Sequence, residues 1–280
     1  MRGGTLYVVA TPLGHLGDLT ARARDLLGAV PLVAAEDTRR TRTLLSHLGA
    51  HPRLVSYHAH SKPAATAAIL DALGKGLDVA LVTDAGTPGV SDPGALLVAQ
   101  VRSAGHPVVP LPGPSAVTAA LSAAGLPADR YLFLGFLPRK GAERARLLER
   151  IGREEWTTVL FESPGRVGVL LADLAGACGR DRRAVVAREL TKIHEEFRTG
   201  TLGELAESLG GDDGAVRGEC TVLVEGRSAP PADDSLERAR PAAQRLLAAG
   251  VSRKEVATLL TEAFGVGRNA AYKLVMEMGE

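Results

Sequence analysis

Short apolar runs alternate with longer amphipathic stretches through the first half of the chain. Runs at Leu6–Ala10, Leu32–Ala35, Leu54–Tyr57, Val79–Thr83 and Val108–Pro112 have the length of strands, and helical patterns near 20–28, 38–49, 62–75 and 94–104 separate them. That rhythm predicts a mainly parallel sheet with helices on both faces. In such sheets ligands sit beyond the carboxyl ends of the strands. Three of the five strands here run into unusual loops: Thr11–Asp18, Asp84–Gly94 and Pro112–Ala116. The middle loop, Asp84-Ala-Gly-Thr-Pro-Gly-Val-Ser-Asp-Pro-Gly94, is the most telling. Its glycines remove Cβ atoms where a ligand must approach the backbone, and its prolines hold the loop's shape. Asp92-Pro93 reads as a helix cap followed by proline at the first helical position.

The second half has a different texture. Strands are predicted at Tyr131–Leu137, Thr157–Phe161, Arg183–Leu190 and Glu219–Glu225, with helices at 142–152, 165–177 and 203–209. Thr201-Leu-Gly-Glu204 has the spacing of a capping box. Gly-Leu-Pro-Ala-Asp129 marks a boundary, which gives an N-terminal α/β domain over 1–126 and a second over 127–226. A polar, proline-bearing linker follows at 227–235, then a helical module at 236–280. In that module Ser252-Arg-Lys-Glu255 is a second capping box, with Val256, Leu259, Leu260 and Phe264 on one face. After the Gly265-Val-Gly267 turn, Ala271, Tyr272, Val275 and Met276 share a face of the next helix. Two short helices joined by a glycine turn resemble a helix-turn-helix. Arg253, Lys254, Arg268 and Lys273 suit phosphate contacts there, or equally a solvated face.

Composition narrows the chemistry. With 280 residues, 45% hydrophobic and 23% charged, the chain has the size for two domains or one large one. No apolar run approaches the roughly 18 residues of a membrane span, and no signal-peptide pattern opens the chain, which predicts a cytoplasmic protein that does not engage membranes. Cys178 and Cys220 are too few for a disulfide framework or a metal cluster and read as buried small apolar groups. A net charge of +1 argues against indiscriminate nucleic-acid binding, so RNA contact would need a local patch. Neither G-x-x-x-x-G-K-[ST] nor G-x-G-x-x-G after a strand is present, H-E-x-x-H and zinc-spaced cysteines are missing, and no G-x-S-x-G elbow occurs. No metal is expected.

Taken as a set, the loops have a family likeness. Leu6-Tyr-Val-Val-Ala-Thr-Pro-Leu-Gly-His-Leu-Gly-Asp18, Ala35-Glu-Asp-Thr-Arg39, Asp84-Ala-Gly-Thr-Pro88 with Ser91-Asp-Pro-Gly94, Leu111-Pro-Gly-Pro-Ser115, Gly135-Phe-Leu-Pro138 and Arg188-Glu-Leu-Thr-Lys192 resemble the tetrapyrrole-methylase superfamily. Within it they look most like the ribose methyltransferases of small-subunit ribosomal RNA. The resemblance spans essentially the whole chain, in order. It implies two α/β domains of tetrapyrrole-methylase type, with S-adenosylmethionine in the cleft between them and a small C-terminal helical module. It further implies transfer to a cytidine 2′-hydroxyl in the decoding region of 16S rRNA, free or in the small ribosomal subunit, by a homodimer. One motif departs from the family. Relatives usually read Tyr-Glu-Ser-x-His-Arg where this chain has Phe161-Glu-Ser-Pro-Gly-Arg166, so no histidine there can act as a base.

Residue by residue, the likeness places Pro12, Ala85, Gly86, Thr87, Val90, Ser115, Ala116, Glu162 and Leu190 at the donor, Val90 and Leu190 having core packing as their alternative. Methyl transfer needs positioning above all, yet a ribose hydroxyl must still lose its proton. Glu36, Asp37 and Asp84, all at strand ends, are the candidate bases, with Asp37 favoured. Asp37 is equally suited to capping the helix that starts at Thr38. Arg39, Arg40 and Arg42 cluster beside Glu36 and Asp37 in a pattern suited to phosphate oxygens, or to an ordinary charged helix face. Arg166, Arg188, Lys192 and Lys140 would extend the track. Competing readings are a methyltransferase of the same fold acting on a tetrapyrrole or a diphthine-type protein side chain, and a non-enzymatic RNA-binding protein. The latter leaves three glycine-rich strand-end loops without a task.

Overall fold

The computed structural model describes residues 3–59, 61–210, 218–227 and 232–278. Its first sheet has the order β3-β2-β4-β1-β5, with every pairing parallel. The strands are β1 Leu6–Val9, β2 Leu32–Ala35, β3 Arg53–Ser56, β4 Val79–Val82 and β5 Val108–Leu111. Between them run α1 Ala21–Ala29, α2 Thr38–His47, α3 Pro63–Gly74 and α4 Ala95–Ser103. Every residue of β2 and β4 is buried, which is why they read as unbroken apolar runs. Alternate residues serve opposite faces. Val33, Ala35, Ala80 and Val82 pack with Leu27 of α1 and Leu45 of α2, whereas Leu32, Ala34, Val79 and Leu81 pack with Ile69, Leu73, Leu97 and Val101 of α3 and α4.

The second sheet is mixed, in the order β6-β7-β10-β8-β9. It comprises β6 Tyr131–Phe136, β7 Thr157–Glu162, β8 Arg183–Arg188, β9 Glu196–Thr201 and β10 Cys220–Val224. The first two are parallel and the remaining pairs antiparallel. α6 Ala142–Arg153, α7 Val167–Cys178 and α8 Leu202–Gly210 cover one face. The other face is covered by α5, Ala116–Ala124, through Val117, Ala120, Leu121 and Ala124. Thus α5 leaves the first sheet and buries its apolar stripe on the second.

Several expectations need correction. Neither α5 nor the edge strand β9 was expected. Strand β8 stops at Arg188 rather than Leu190, because Glu189 and Thr191 take φ of 51° and 63°. Asp92 does not cap α4. That helix starts at Ala95 behind Gly94, whose φ of 144° replaces a side-chain cap. The capping box of α8 does form: Glu204 N–H donates to Thr201 Oγ1 at 3.2 Å, and Thr201 N–H donates to Glu204 Oε2 at 2.8 Å.

Residues Gly226–Glu280 form a unit of their own. Its helices are α9 Ala232–Ala248, α10 Arg253–Phe264 and α11 Arg268–Glu277. The proposed linker over 227–235 falls partly outside the described residues, and 232–235 belong to α9. Ala239, Ala243, Val256, Leu260, Ala271 and Val275 make the core of this unit. Leu259, Tyr272 and Met276, expected on the apolar faces, are exposed. Ser252 caps α10 and left-handed Gly265 ends it. Among the described residues, no helix is long and apolar enough to cross a membrane.

Candidate active site

Three strand-end loops of the first sheet are tied together by their own hydrogen bonds. Thr11 and Gly86 exchange backbone bonds of 2.9 and 3.0 Å, joining the loops after β1 and β4. Thr87 Oγ1 donates to Pro114 O at 3.1 Å, adding the loop after β5. Gly86, Gly89 and Gly94 all have positive φ, a conformation that costs glycine nothing. The loops form one wall of a cleft of about 410 Å³ whose other wall is the second sheet. Gly135 lets the walls meet: with φ +62°, it has no Cβ to strike Ser91 Oγ. Across the cleft rim His15 N–H donates to Thr191 Oγ1 at 3.1 Å, and bare Gly14 accepts the stem of Lys192.

The second sheet contributes aromatic rings and a buried carboxylate. Phe161 packs edge-on to Phe133 at 5.0 Å and tilted to Phe136 at 5.6 Å. Phe136 stays 60% exposed and lines the cleft, so it is available to a planar ligand. Glu162 is buried but saturated: Ser163 donates to Oε1 through its N–H at 2.8 Å and its hydroxyl at 3.1 Å, and Arg166 sits 3.2 Å from Oε2. Burial pushes the Cys220 thiol up to about 11, so it faces the cleft as a neutral group.

Of the residues singled out from the sequence, Glu36, Arg40, Asp84, Ala85, Gly86, Thr87, Val90, Ser115, Ala116 and Glu162 line the cleft. Pro12 is buried next to the lining residue Leu13. Leu190 belongs to the core with Val185 and Ala187, its alternative reading. Asp37 lies outside the cleft lining and caps α2: Arg39 donates its N–H to Oδ1 at 2.8 Å and a guanidinium N–H to Oδ2 at 2.8 Å. Those bonds hold the Asp37 carboxyl down at about 2, which suits a cap and not a base. Arg39 is thereby committed, and Arg42 and Lys140 lie exposed outside the lining. Arg166 backs Glu162, Arg188 pairs with Glu196 at 2.9 Å, and Lys192 bridges Glu189 and Glu219 at 2.8 and 3.5 Å.

The acidic residues are unequal. Asp84 accepts the Asp37 N–H at 3.1 Å and pairs with Arg40 at 3.3 Å. Glu36 accepts the Asp84 N–H at 3.4 Å, and burial raises its carboxyl above the usual range. Asp92, assigned from sequence to a helix cap, instead lines the cleft. Burial, then repulsion from Glu36, lifts it to about 7 despite a hydrogen bond with the Thr83 hydroxyl. Its neighbours Ser91 and Gly94, both with positive φ, explain why the Asp-Pro signal misled: the chain reverses there before α4 begins. Phe136, Phe161 and the start of strand β10 were not among the site residues singled out, since nothing in their spacing separates a cleft wall from a core.

Residues 5–206 match the family model described as Tetrapyrrole (Corrin/Porphyrin) Methylases. The chain belongs to this family. It is 44% identical over 99% of its length to the Ribosomal RNA small subunit methyltransferase I of Pseudomonas aeruginosa, covering 98% of that protein. Identity is also 44% to the protein of that name from Escherichia coli O157:H7, over 98% of this chain and 95% of that one. In fold it is similar to uroporphyrin-III C-methyltransferase from Thermus thermophilus, solved with S-adenosyl homocysteine. That likeness has a TM-score of 0.58 at 20% identity and covers 79% of this chain and 97% of the other.

Proposed function

We propose that this protein is an S-adenosylmethionine-dependent methyltransferase of small-subunit ribosomal RNA, transferring to the 2′-hydroxyl of the cytidine at position 1402, in the usual numbering, of the decoding region. The cleft's chemistry suits the donor. The backbone of Ala85 and Thr87, on either side of a Gly86 whose own N–H and C=O are spent on Thr11, can meet a zwitterionic amino acid, Phe136 offers a face to a purine, and the volume is that of a small-molecule site. Among the described lining residues are five carboxylates; Arg166 offsets Glu162 and Lys192 offsets Glu219, which leaves Glu36, Asp84 and Asp92 against the one lining arginine, Arg40. A field of that sign favours a sulfonium cation and disfavours phosphates on the floor. RNA phosphates would keep to the rim.

The donor, when bound, supplies a methyl group on a positively charged sulfur that leaves as a neutral thioether. The protein's part is to orient and to exclude water. Loops locked to one another by the Thr11–Gly86 and Thr87–Pro114 bonds hold their shape without ligand, so little ordering cost falls on binding. Arg40, 65% exposed at the rim and anchored on Asp84, is positioned to meet a phosphate.

The acceptor assignment is carried by one observation: the similarity to the ribosomal RNA enzymes runs end to end, past residue 206 where the family model stops. The helical unit is therefore shared with those enzymes, and a small macrocycle would have no use for it. Labelled S-adenosylmethionine offered with small ribosomal subunits, naked 16S rRNA and a tetrapyrrole precursor tests this. Label in the RNA, at a linkage resistant to alkaline cleavage, is expected. Label in the tetrapyrrole alone would favour the tetrapyrrole reading, and absence of transfer with tight RNA binding the non-enzymatic one.

A further inference from the structure

The carboxylates around the cleft have different obligations, and these single out one of them. Asp37 is tied to Arg39 and Asp84 to Arg40. Glu162 accepts from Ser163 and Arg166 with its side chain only 2% exposed. Glu219 sits at the rim, 71% exposed, near Lys192. Glu36 accepts the Asp84 N–H and feels the positive charge of Arg40. Asp92 differs from all of these. It is half-buried on the cleft wall, its hydrogen bond is with the Thr83 hydroxyl, and among the described residues it pairs with no cation.

We propose that Asp92 is the proton acceptor for the attacking hydroxyl, an inference that rests on the methyltransferase reading above. The loop is built to present it. Ser91 takes φ +59° and Gly94 φ +144° on either side of Asp92-Pro93, so the peptide turns the carboxyl inward where an ordinary helix start would have turned it onto the backbone of α4. Thr83, just past the end of β4, is 2% exposed and sits beside the carboxyl, its hydroxyl also donating to Ala85 O at 3.4 Å. In the step, the acceptor O–H bond breaks and its proton passes to an Asp92 carboxylate oxygen. The oxygen lone pair forms the new bond to the methyl carbon, and the carbon–sulfur electron pair stays with sulfur. Asp92 then returns its proton to water.

Charged groups facing Asp92 come from each element packed on it: Glu36 after β2, Asp84 after β4 and Glu219 before β10. All three are acidic and keep its basicity high, near the pH at which a general base is most effective. The raised carboxyl implies that turnover climbs with pH up to about 7 and then levels.

The test compares wild type, Asp92→Asn and Asp92→Glu in the full-length chain. Turnover on small ribosomal subunits across pH is read beside calorimetric titration of S-adenosylhomocysteine and an infrared difference titration of the carboxyl without ligands. Expected for Asp92→Asn is a loss of about 10²–10⁴-fold in kcat with the pH dependence flattened, donor-product affinity within about threefold of wild type, and loss of one carboxyl titrating near 7 from the infrared difference. Asp92→Glu should recover part of kcat. An Asp92→Asn enzyme within a few-fold of wild type, or an Asp92 titrating near an ordinary aspartate, overturns the assignment. A wild type inert on ribosomal subunits sinks the acceptor reading and this proposal with it, whereas an active wild type matched by Asp92→Asn sinks this proposal alone.

Discussion

Two aspartates with the same side chain sit in opposite electrostatic situations, and each implies a measurable consequence. Asp37 is held at about 2 by Arg39, below the ordinary value of 3.8, so its stabilising contribution is full above that ordinary value and is lost as pH falls through about 2. Asparagine caps as well as aspartate. Asp37→Asn should therefore keep turnover within a few-fold at neutral pH while losing the ion pair; loss of turnover by a hundredfold or more would restore Asp37 as a base. Asp92 is raised to about 7, so the folded state holds a proton there that the unfolded chain gives up. Stability is thus eroded as pH rises from about 4 to about 7. Asp92→Asn should raise the melting temperature at pH 8 and change it little at pH 4, which thermal unfolding at the two pH values would check. An equal shift at both would contradict the burial account. At this scale the sequence displayed the carboxylates but not their ranking. The Asp92-Pro93 dipeptide carries a capping signal whatever the loop does, and only the left-handed Ser91 and Gly94 reveal that the cap is not made.

At the scale of elements, the cleft depends on loops whose backbones are fixed by contacts distant in sequence. Gly135 lies at a bulge in β6, where an added Cβ would strike Ser91 on the opposite wall. Gly135→Ala should cost about 1–2 kcal/mol for the left-handed conformation alone, with a further loss from the collision with Ser91 Oγ. Chemical denaturation of the single variant and of Gly135→Ala combined with Ser91→Ala separates the two, because only the collision is relieved in the pair. Equal destabilisation of both proteins would mean that the collision contributes nothing. The parallel sheet was legible because β2 and β4 are buried on both faces and so read as continuous apolar runs. Strand β9 was not: Glu-Phe-Arg-Thr-Gly-Thr is a half-exposed edge held through Arg188–Glu196 and backbone pairing to β8, with little apolar alternation to betray it. Helix α5 did carry a signal, Val117, Ala120, Leu121 and Ala124 at helical spacing, hidden behind the Pro-Gly-Pro turn and its run of small residues.

For the whole molecule, charge divides the labour. The cleft is acidic with apolar walls, whereas cations suited to RNA lie at its rim and, in the separate helical unit, at Arg268 and Lys273. In that unit Tyr272 and Met276 are exposed along α11 beside those cations. Reversing Arg268 and Lys273 to glutamate should leave S-adenosylhomocysteine binding unchanged, weaken subunit binding and lower the slope of log affinity against log salt by about one for each phosphate no longer neutralised. Filter binding over a salt series measures it, and an unchanged slope would assign these residues to a solvated face. The central claim is that the cleft between the two sheets holds the methyl donor. Diffraction from crystals grown with S-adenosylhomocysteine tests it most directly. Ligand density against Ala85–Thr87 and Phe136 is the predicted result, whereas a filled site elsewhere on the chain, with the cleft empty, would contradict it.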